Sequence, residues 1–353
     1  ISNILYISED YASEKNLVKI DDDVNNEFDI PSLFKYDISK KLKYILAKKD
    51  NTIIRIIPKT WNMGAAPSVP SYGHNSVGSA TSALTFNGVN PLTSIYNDMQ
   101  SFNGSTWSTK TGSNTKVKFA SSSGILTDAL SIGGFDLEVK DVAQRYNENV
   151  WSNITNLPIA VNMHSSTGLS DDTIVTSGAN NTTVISNTMI YNGENWSIGS
   201  DILVARHSAS LDGISSSAIL HGGIDVRTID SAEKFNGQVW SSVGARMNSA
   251  RYALSSSGDS SSVISCGGDI GSSVSNLTEK FNGEIWDILS SINMKRKYFS
   301  ASGNGNTTLI ILGDVFDSCS TEIFTDQNIP ILRHIGTKAI NSNELLQLIS
   351  NNV

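Results

Sequence analysis

The chain has 353 residues, with 26 Lys and Arg against 34 Asp and Glu and a formal net charge of −8 at neutral pH. Charged residues make up only 17% of it, and the acidic balance lacks the concentrated positive charge that a nucleic-acid footprint requires. No apolar run approaches the ~20 residues of a membrane-spanning helix; Leu309-Ile310-Ile311-Leu312 is among the longest.

Residues 1–58 differ in character from the rest of the chain. They carry charge runs at Asp21-Asp22-Asp23, Lys40-Lys41 and Lys48-Lys49-Asp50. Between Ser32 and Lys49 the apolar residues Leu33, Phe34, Ile38, Leu42, Ile45 and Leu46 fall near helical spacing. An amphipathic helix or an extended arm is expected there, and a docking segment for a larger assembly is the functional alternative.

From Trp61 onward the chain repeats. Trp61, Trp107, Trp151, Trp196, Trp240 and Trp286 follow one another at steps of 46, 44, 45, 44 and 46 residues. The last five each follow an aromatic residue by five positions, at Phe102, Tyr146, Tyr191, Phe235 and Phe281. Such a period means one supersecondary unit copied several times, each copy too small to bury its apolar face alone. Asn-Gly follows the aromatic in four units, at Asn103, Asn192, Asn236 and Asn282. It predicts a two-residue type I′ hairpin with positive φ at both residues, pairing Phe102 with Ser105 and setting Phe102 and Trp107 on one buried face. Upstream, short apolar strands end in glycine pairs at Gly133-Gly134, Gly222-Gly223 and Gly267-Gly268. Before these, small-residue strands end at Gly124, Gly168, Gly213, Gly258 and Gly303.

One unit is thus four short strands, and four-stranded units of this length are blades of a propeller. The expected fold is an all-β, six-bladed β-propeller over residues 59–328. The last unit has strands near 297–303, 307–312 and 319–324, but no tryptophan follows Phe324, whereas Trp61 has no upstream strands of its own unit. Joining them closes the last blade with an N-terminal strand and leaves no open sheet edge. Residues 329–353 form an extension, in which 341–349 reads as a short capped helix.

The order of glycine pair, aromatic and tryptophan resembles the kelch repeat. Three units add the kelch-like glutamate two residues before the aromatic, at Glu233, Glu279 and Glu322. The resemblance covers residues 59–328, with two departures: the aromatic-to-tryptophan loop is tighter than the usual kelch spacing, and Asn87-Gly88 stands where a glycine pair belongs. Compact repeats with an Asn-Gly turn look like those of bacterial and bacteriophage kelch-type proteins. The WD repeat fits less well, because Trp286-Asp287 is a single instance.

The chemistry that such folds can carry is sparse here. Copper oxidases resembling galactose oxidase need two His, two Tyr and a cross-linked Cys on one face. The five histidines (His74, His164, His207, His221 and His334) fall in different places, and Cys266 and Cys319 read as unpaired thiols. His221, Cys266 and Ile132 occupy one repeated slot, as a structural strand position would. No metal and no cofactor is expected.

Sialidase-type propellers need an arginine cluster. Arg206, Arg251 and Arg296 lie ten or eleven residues after Trp196, Trp240 and Trp286, where they would open inner strands near the channel mouth. With Asp136, Asp225 and Asp269 (and Asp314) on the loops after the glycine strands, they form the candidate ligand-binding set. Inter-blade salt bridges that fix blade registration are the favoured reading of the same residues. The sialidase Asp-box is absent, and the glycine pairs lead into strands without the Lys-Ser/Thr of a phosphate loop.

These observations point to a non-enzymatic structural or binding propeller within a larger assembly, such as a bacteriophage tail, capsid accessory or attachment protein, in the virion or outside the cell. Its partners would be other protein subunits and a host-surface glycan or protein, with no nucleic acid and no membrane span. The alternatives are a cytoplasmic kelch-type interaction scaffold and a glycan-binding or glycan-cleaving propeller that works through the three arginines.

Overall fold

The structure, a computed structural model, describes residues 60–90, 94–303 and 320–325, together with the backbone of strands at 5–8, 17–20, 44–47, 52–55, 307–311 and 331–334. Every regular element among the described residues is a strand. The chain divides into two compact units, Thr60–Thr325 and a second made of Ile1–Lys59 with Asp326–Val353.

The larger unit is a β-propeller containing six four-stranded antiparallel sheets. In each sheet the strands pair in a simple meander, as in Ser210–Ile214, Ser217–His221, Ala232–Phe235 and Trp240–Val243. The sheet of Ser300–Gly303, Thr307–Ile311 and Thr321–Thr325 takes its fourth strand from Thr60–Gly64, with Trp61 opposite Phe324. The innermost strands touch one another in sequence from Asn75–Ser79 round to Ser300–Gly303, which touches Asn75–Ser79 again.

Strand chemistry follows depth. The second strands are mainly apolar and buried on both faces: Ala218, Ile219, Leu220 and His221 are all fully buried. This is the short continuous apolar run expected of a strand covered on both sides. The fourth strands lie at the rim and bury little beyond tryptophan, which packs on the aromatic of the third strand. Ring centroids are 5.1 Å apart for Phe235 and Trp240 and 5.2 Å for Phe281 and Trp286. A glycine stands at or one residue before the end of each inner strand because there is no room for a side chain. At Gly213 an added Cβ would lie 2.2 Å from the Ser217 carbonyl oxygen, and φ is +122°.

The Asn-Gly turns differ from expectation. Phe102 pairs directly with Trp107, so the loop has four residues rather than two. The glycines have positive φ (91° at Gly104 and Gly237), but the asparagines before them do not. The cause is the asparagine side chain. Asn103 Oδ1 accepts the backbone N–H groups of Ser105 at 2.9 Å and Thr106 at 2.8 Å, forming an Asx turn that opens the loop. Asn192, Asn236 and Asn282 do the same. The two-residue hairpin with two positive φ values occurs in the one unit without Asn-Gly, at Glu148 and Asn149, between paired Asn147 and Val150.

The smaller unit contains one antiparallel sheet in the order Leu17–Ile20, Leu5–Ser8, Tyr44–Ala47, Thr52–Arg55, Ile331–His334. The two non-repeat ends therefore meet in one sheet. Tyr44–Ala47 is a strand where helical spacing was expected over Ser32–Lys49: it pairs antiparallel with Thr52–Arg55, and that ladder overrides local periodicity. The rest of that segment and residues 341–349 lie outside the described residues.

Candidate functional site

Arg206, Arg251 and Arg296 precede the inner strands of their sheets, but all three side chains are fully buried and none lines the central channel. Each reaches the glutamate on the third strand of the sheet it enters. Arg206 Nη2 lies 2.5 Å from Glu233 Oε1, Arg251 Nη2 lies 3.1 Å from Glu279 Oε1, and Arg296 Nη2 lies 3.1 Å from Glu322 Oε1. The second carboxylate oxygen accepts a backbone N–H from the crossover segment at 2.7 Å, from Leu203, Asn248 and Asn293 respectively. The pair thus fastens each crossover to the sheet that it leads into.

This corrects the expected partners. The aspartates do not pair with the arginines, because each fully buried guanidinium is already matched by a carboxylate at its own depth, the glutamate of its sheet. Asp136 lies in a short extra hairpin, Phe135–Asp136 with Glu138–Val139. Asp225 is exposed. Asp269 bonds Lys297 Nζ at 2.9 Å and the Gly271 N–H at 2.7 Å, and Asp314 lies outside the described residues. The expected set of three arginines and three aspartates is not brought together. In the units with Ser71, Val117 and Val161 at the arginine position, the glutamate position holds Gln100, Gln144 and Met189. Charge enters this layer only in pairs, which sequence comparison between the repeats reveals once the contact is known.

A second arrangement surrounds the channel mouth. Gly73, Phe119, Met163, Ser208, Ala253 and Tyr298 all have left-handed backbones, with φ of 52–60°. Each donates its N–H to the carbonyl of its equivalent in the preceding sheet, and Gly73 donates to Tyr298. The result is a closed cycle of six hydrogen bonds of 2.6–3.0 Å. Left-handed geometry costs of order 1–3 kcal/mol at a non-glycine residue and persists where surroundings over-determine it; here the cycle does so. These six positions share a period but no residue type, so only their spacing marks them in the sequence.

The cycle carries an aromatic collar. Tyr72 and Phe119 have ring centroids 6.3 Å apart, Phe119 and Tyr298 5.2 Å, and Tyr298 and Tyr252 6.4 Å. Gly73 makes the central contact possible, because a Cβ there would fall 2.8 Å from the Phe119 ring. All four rings are half-buried. Burial raises the pKa of the Tyr252 and Tyr298 phenols, which keeps both protonated as hydrogen-bond donors. Lys118 Nζ lies 5.4 Å from the rings of Phe119 and Phe135, at one side, and the Lys297–Asp269 pair flanks the other. Two loop tips are almost fully exposed, Leu137 at 93% and Val226 at 87%.

His74, His164 and His221 are buried, and desolvation pushes each imidazole down to about 3, so all are neutral at neutral pH. The 3.9 Å approach of His221 to Asp212 is accordingly not an ion pair. His221, Cys266 and Ile132 are all fully buried in their common slot. His207 is half-buried, and the side chain of His334 lies outside the described residues, as does Cys319. Among the described residues no three His, Cys, Asp or Glu side chains group to hold a metal ion, and no helix is long and apolar enough to cross a membrane.

No family model matches the sequence, and comparison with curated proteins gives no match. Among solved structures the chain is similar to one titled "Structure of YjhT", with a TM-score of 0.60 and 14% identity over 74% of this chain and 95% of that one. At that identity the likeness shows the β-propeller fold and nothing further.

Proposed function

We propose that the chain is a six-bladed, kelch-like propeller, closed by its N-terminal strand, that acts by binding rather than turnover as a component of a larger assembly such as a virus particle. The observation that carries this reading is the aromatic collar. Four contiguous, half-exposed rings sit on a backbone pinned by a cyclic set of hydrogen bonds, and rigid aromatic surface of this kind binds at low entropic cost. The kelch-like glutamates support the family reading, since each is used to lock a crossover to its blade. Burial of Arg206, Arg251 and Arg296 takes the anionic-glycan alternative away from the residues that suggested it.

The test is isolation of the chain from its source under native conditions, with mass spectrometry of what co-purifies. The expected result is a stable complex that is lost in a Phe119→Ala/Tyr298→Ala variant with an unchanged circular dichroism spectrum. A chain that purifies alone, or a complex indifferent to both substitutions, would overturn the reading.

A further inference from the structure

In each meander the turn from first to second strand and the turn from third to fourth lie at one end of the sheet, because successive antiparallel strands reverse direction. That end is opposite the collar: Phe119 precedes the inner strand Ser121–Ile125, and Ile125 closes it. The two turns of a blade touch, as where Glu148 donates its backbone N–H to the Thr127 carbonyl at 3.1 Å. Neighbouring blades are tied at the same level. Thr167 Oγ1 donates to the Gly213 carbonyl at 2.7 Å, the hydroxyls of Ser123 and Thr173 lie 2.7 Å apart, and those of Ser217 and Ser260 lie 2.8 Å apart. The turns thus form one face on a fixed backbone.

Part of this face is apolar. Ile125, Leu169 and Ile214 hold the same register in three consecutive sheets, opposite Asp128, Asp172 and Ser217. Their inner strands touch one another, so the three side chains follow an arc around the channel. Val150, Val239 and Ile285 stand just before tryptophan in the outer turns, and all six side chains are more than half exposed. Folding does not require them. The inner slot holds Ser79 in one sheet and Asp259 in another, and the outer slot holds Thr106 and Asn195. Apolar side chains left in water where the fold accepts Ser, Thr or Asp mark a contact surface.

The charge around them has one sign. Glu148, Asp171, Asp172, Glu194, Asp259 and Glu284 are exposed in these turns, and among the described residues the turns hold no Lys, Arg or His. Behind them, Arg145 is taken up by Asp128, with Nε 2.7 Å from Oδ1, and Lys234 packs 5.0 Å from the Phe281 ring centroid. Apolar surface bordered by carboxylates selects a partner that carries apolar and basic side chains together. A second copy of this face, or an anionic bilayer, would bring negative charge against it.

We propose that this face docks a basic amphipathic segment of a partner protein. Its apolar stripe lies on Ile125, Leu169 and Ile214, and its Lys and Arg side chains meet Glu148, Asp171, Asp172 and Glu194. The site uses none of the collar residues, so the propeller offers a docking face at each end of its inner strands.

Fluorescence anisotropy of three labelled peptides titrated with the full chain tests it. The first, of about 18 residues or five helical turns, contains only Leu and Lys, with Leu at i, i+3, i+4 and i+7. The second replaces Lys with Glu, and the third replaces Leu with Ser. Binding of the first alone is expected. Leu169→Ser/Ile214→Ser should weaken it about tenfold. Asp171→Asn/Asp172→Asn should weaken it about threefold and reduce its salt dependence. All four positions are exposed, and an unchanged melting temperature verifies that each variant folds. The Phe119→Ala/Tyr298→Ala variant should bind as the parent does, which separates failure of this site from failure of the collar reading. No binding of the first peptide, equal binding of the third, or undiminished binding by both folded turn variants would overturn the proposal. So would dimerisation of the parent that Leu169→Ser/Ile214→Ser abolishes, which would assign the face to a second copy of the chain.

Discussion

At the scale of single residues, buried charge is tolerated here only in matched pairs. Arg251 and Glu279 both have fully buried side chains, so removing one partner strands the other. Glu279→Ala should cost roughly 3–5 kcal/mol in urea denaturation, while the double change Arg251→Met/Glu279→Leu should recover most of the loss. Histidine sets the acid limit. The folded-state pKa values of His74, His164 and His221 lie about 3, below the ordinary value of 6.5, so the unfolded chain binds more protons between those limits. Stability should fall as pH drops below about 6.5, by ~1.4 kcal/mol per pH unit for each histidine. Urea midpoints across that range would show the slope, and His164→Leu should flatten it. Asp212 acts in the opposite direction. Burial pushes its carboxyl up to about 7, so the folded state keeps a proton that the unfolded state releases, and stability is lost as pH rises from about 4 to about 7. Asp212→Asn should be more stable than the parent above about pH 7 and no better below about pH 4.

At the scale of elements, the hairpins separate what a dipeptide suggests from what its side chain does. Asn-Gly correctly marks a turn, but Asn236 Oδ1 captures the N–H groups of Gln238 and Val239 and makes a four-residue loop. Only Gly237 there needs positive φ, at 91°. Gly237→Val should therefore lower the melting temperature, with strain of about 1–2 kcal/mol, and Asn236→Ala should cost about 1 kcal/mol through the lost side-chain bonds. At the two-residue hairpin Asn149→Gly should be neutral or slightly stabilising, since φ there is already 78°. An equal response at both sites would contradict the difference in turn type.

At the scale of the whole molecule, each tryptophan bridges the rim of its sheet, though not all to the same depth. Trp240 is 5% exposed and donates its indole N–H to Thr188 Oγ1 at 2.9 Å, whereas Trp107 and Trp196 are half-buried. Trp240→Ala should cost roughly 3–5 kcal/mol, and Trp196→Ala measurably less. The strand Thr60–Gly64 gives a sharper test. A chain beginning at residue 60 should keep a cooperative unfolding transition in the larger unit, and one beginning at residue 65 should lose it, because the Thr321–Thr325 edge is then left unpaired. Equal behaviour of the two truncations in calorimetry would refute that dependence.

Residue identity and spacing were enough to define the repeating unit, its four strands, the aromatic–tryptophan pair and the glycines that close each inner hairpin. These are local features, written in residue identity at fixed spacing. The sequence also located Arg206, Arg251 and Arg296 and, separately, Glu233, Glu279 and Glu322, but not that the two sets meet. Their contact spans 26–28 residues of chain and exists only once the crossover folds back on its sheet. The collar arises only when the chain folds. The cycle through Gly73, Phe119, Met163, Ser208, Ala253 and Tyr298 is made of backbone groups, which every residue type supplies. Whether a serine hydroxyl stitches two inner strands depends on neighbours about one repeat away along the chain, as Ser122 shows by donating to the Ser76 carbonyl at a separation of 46 residues.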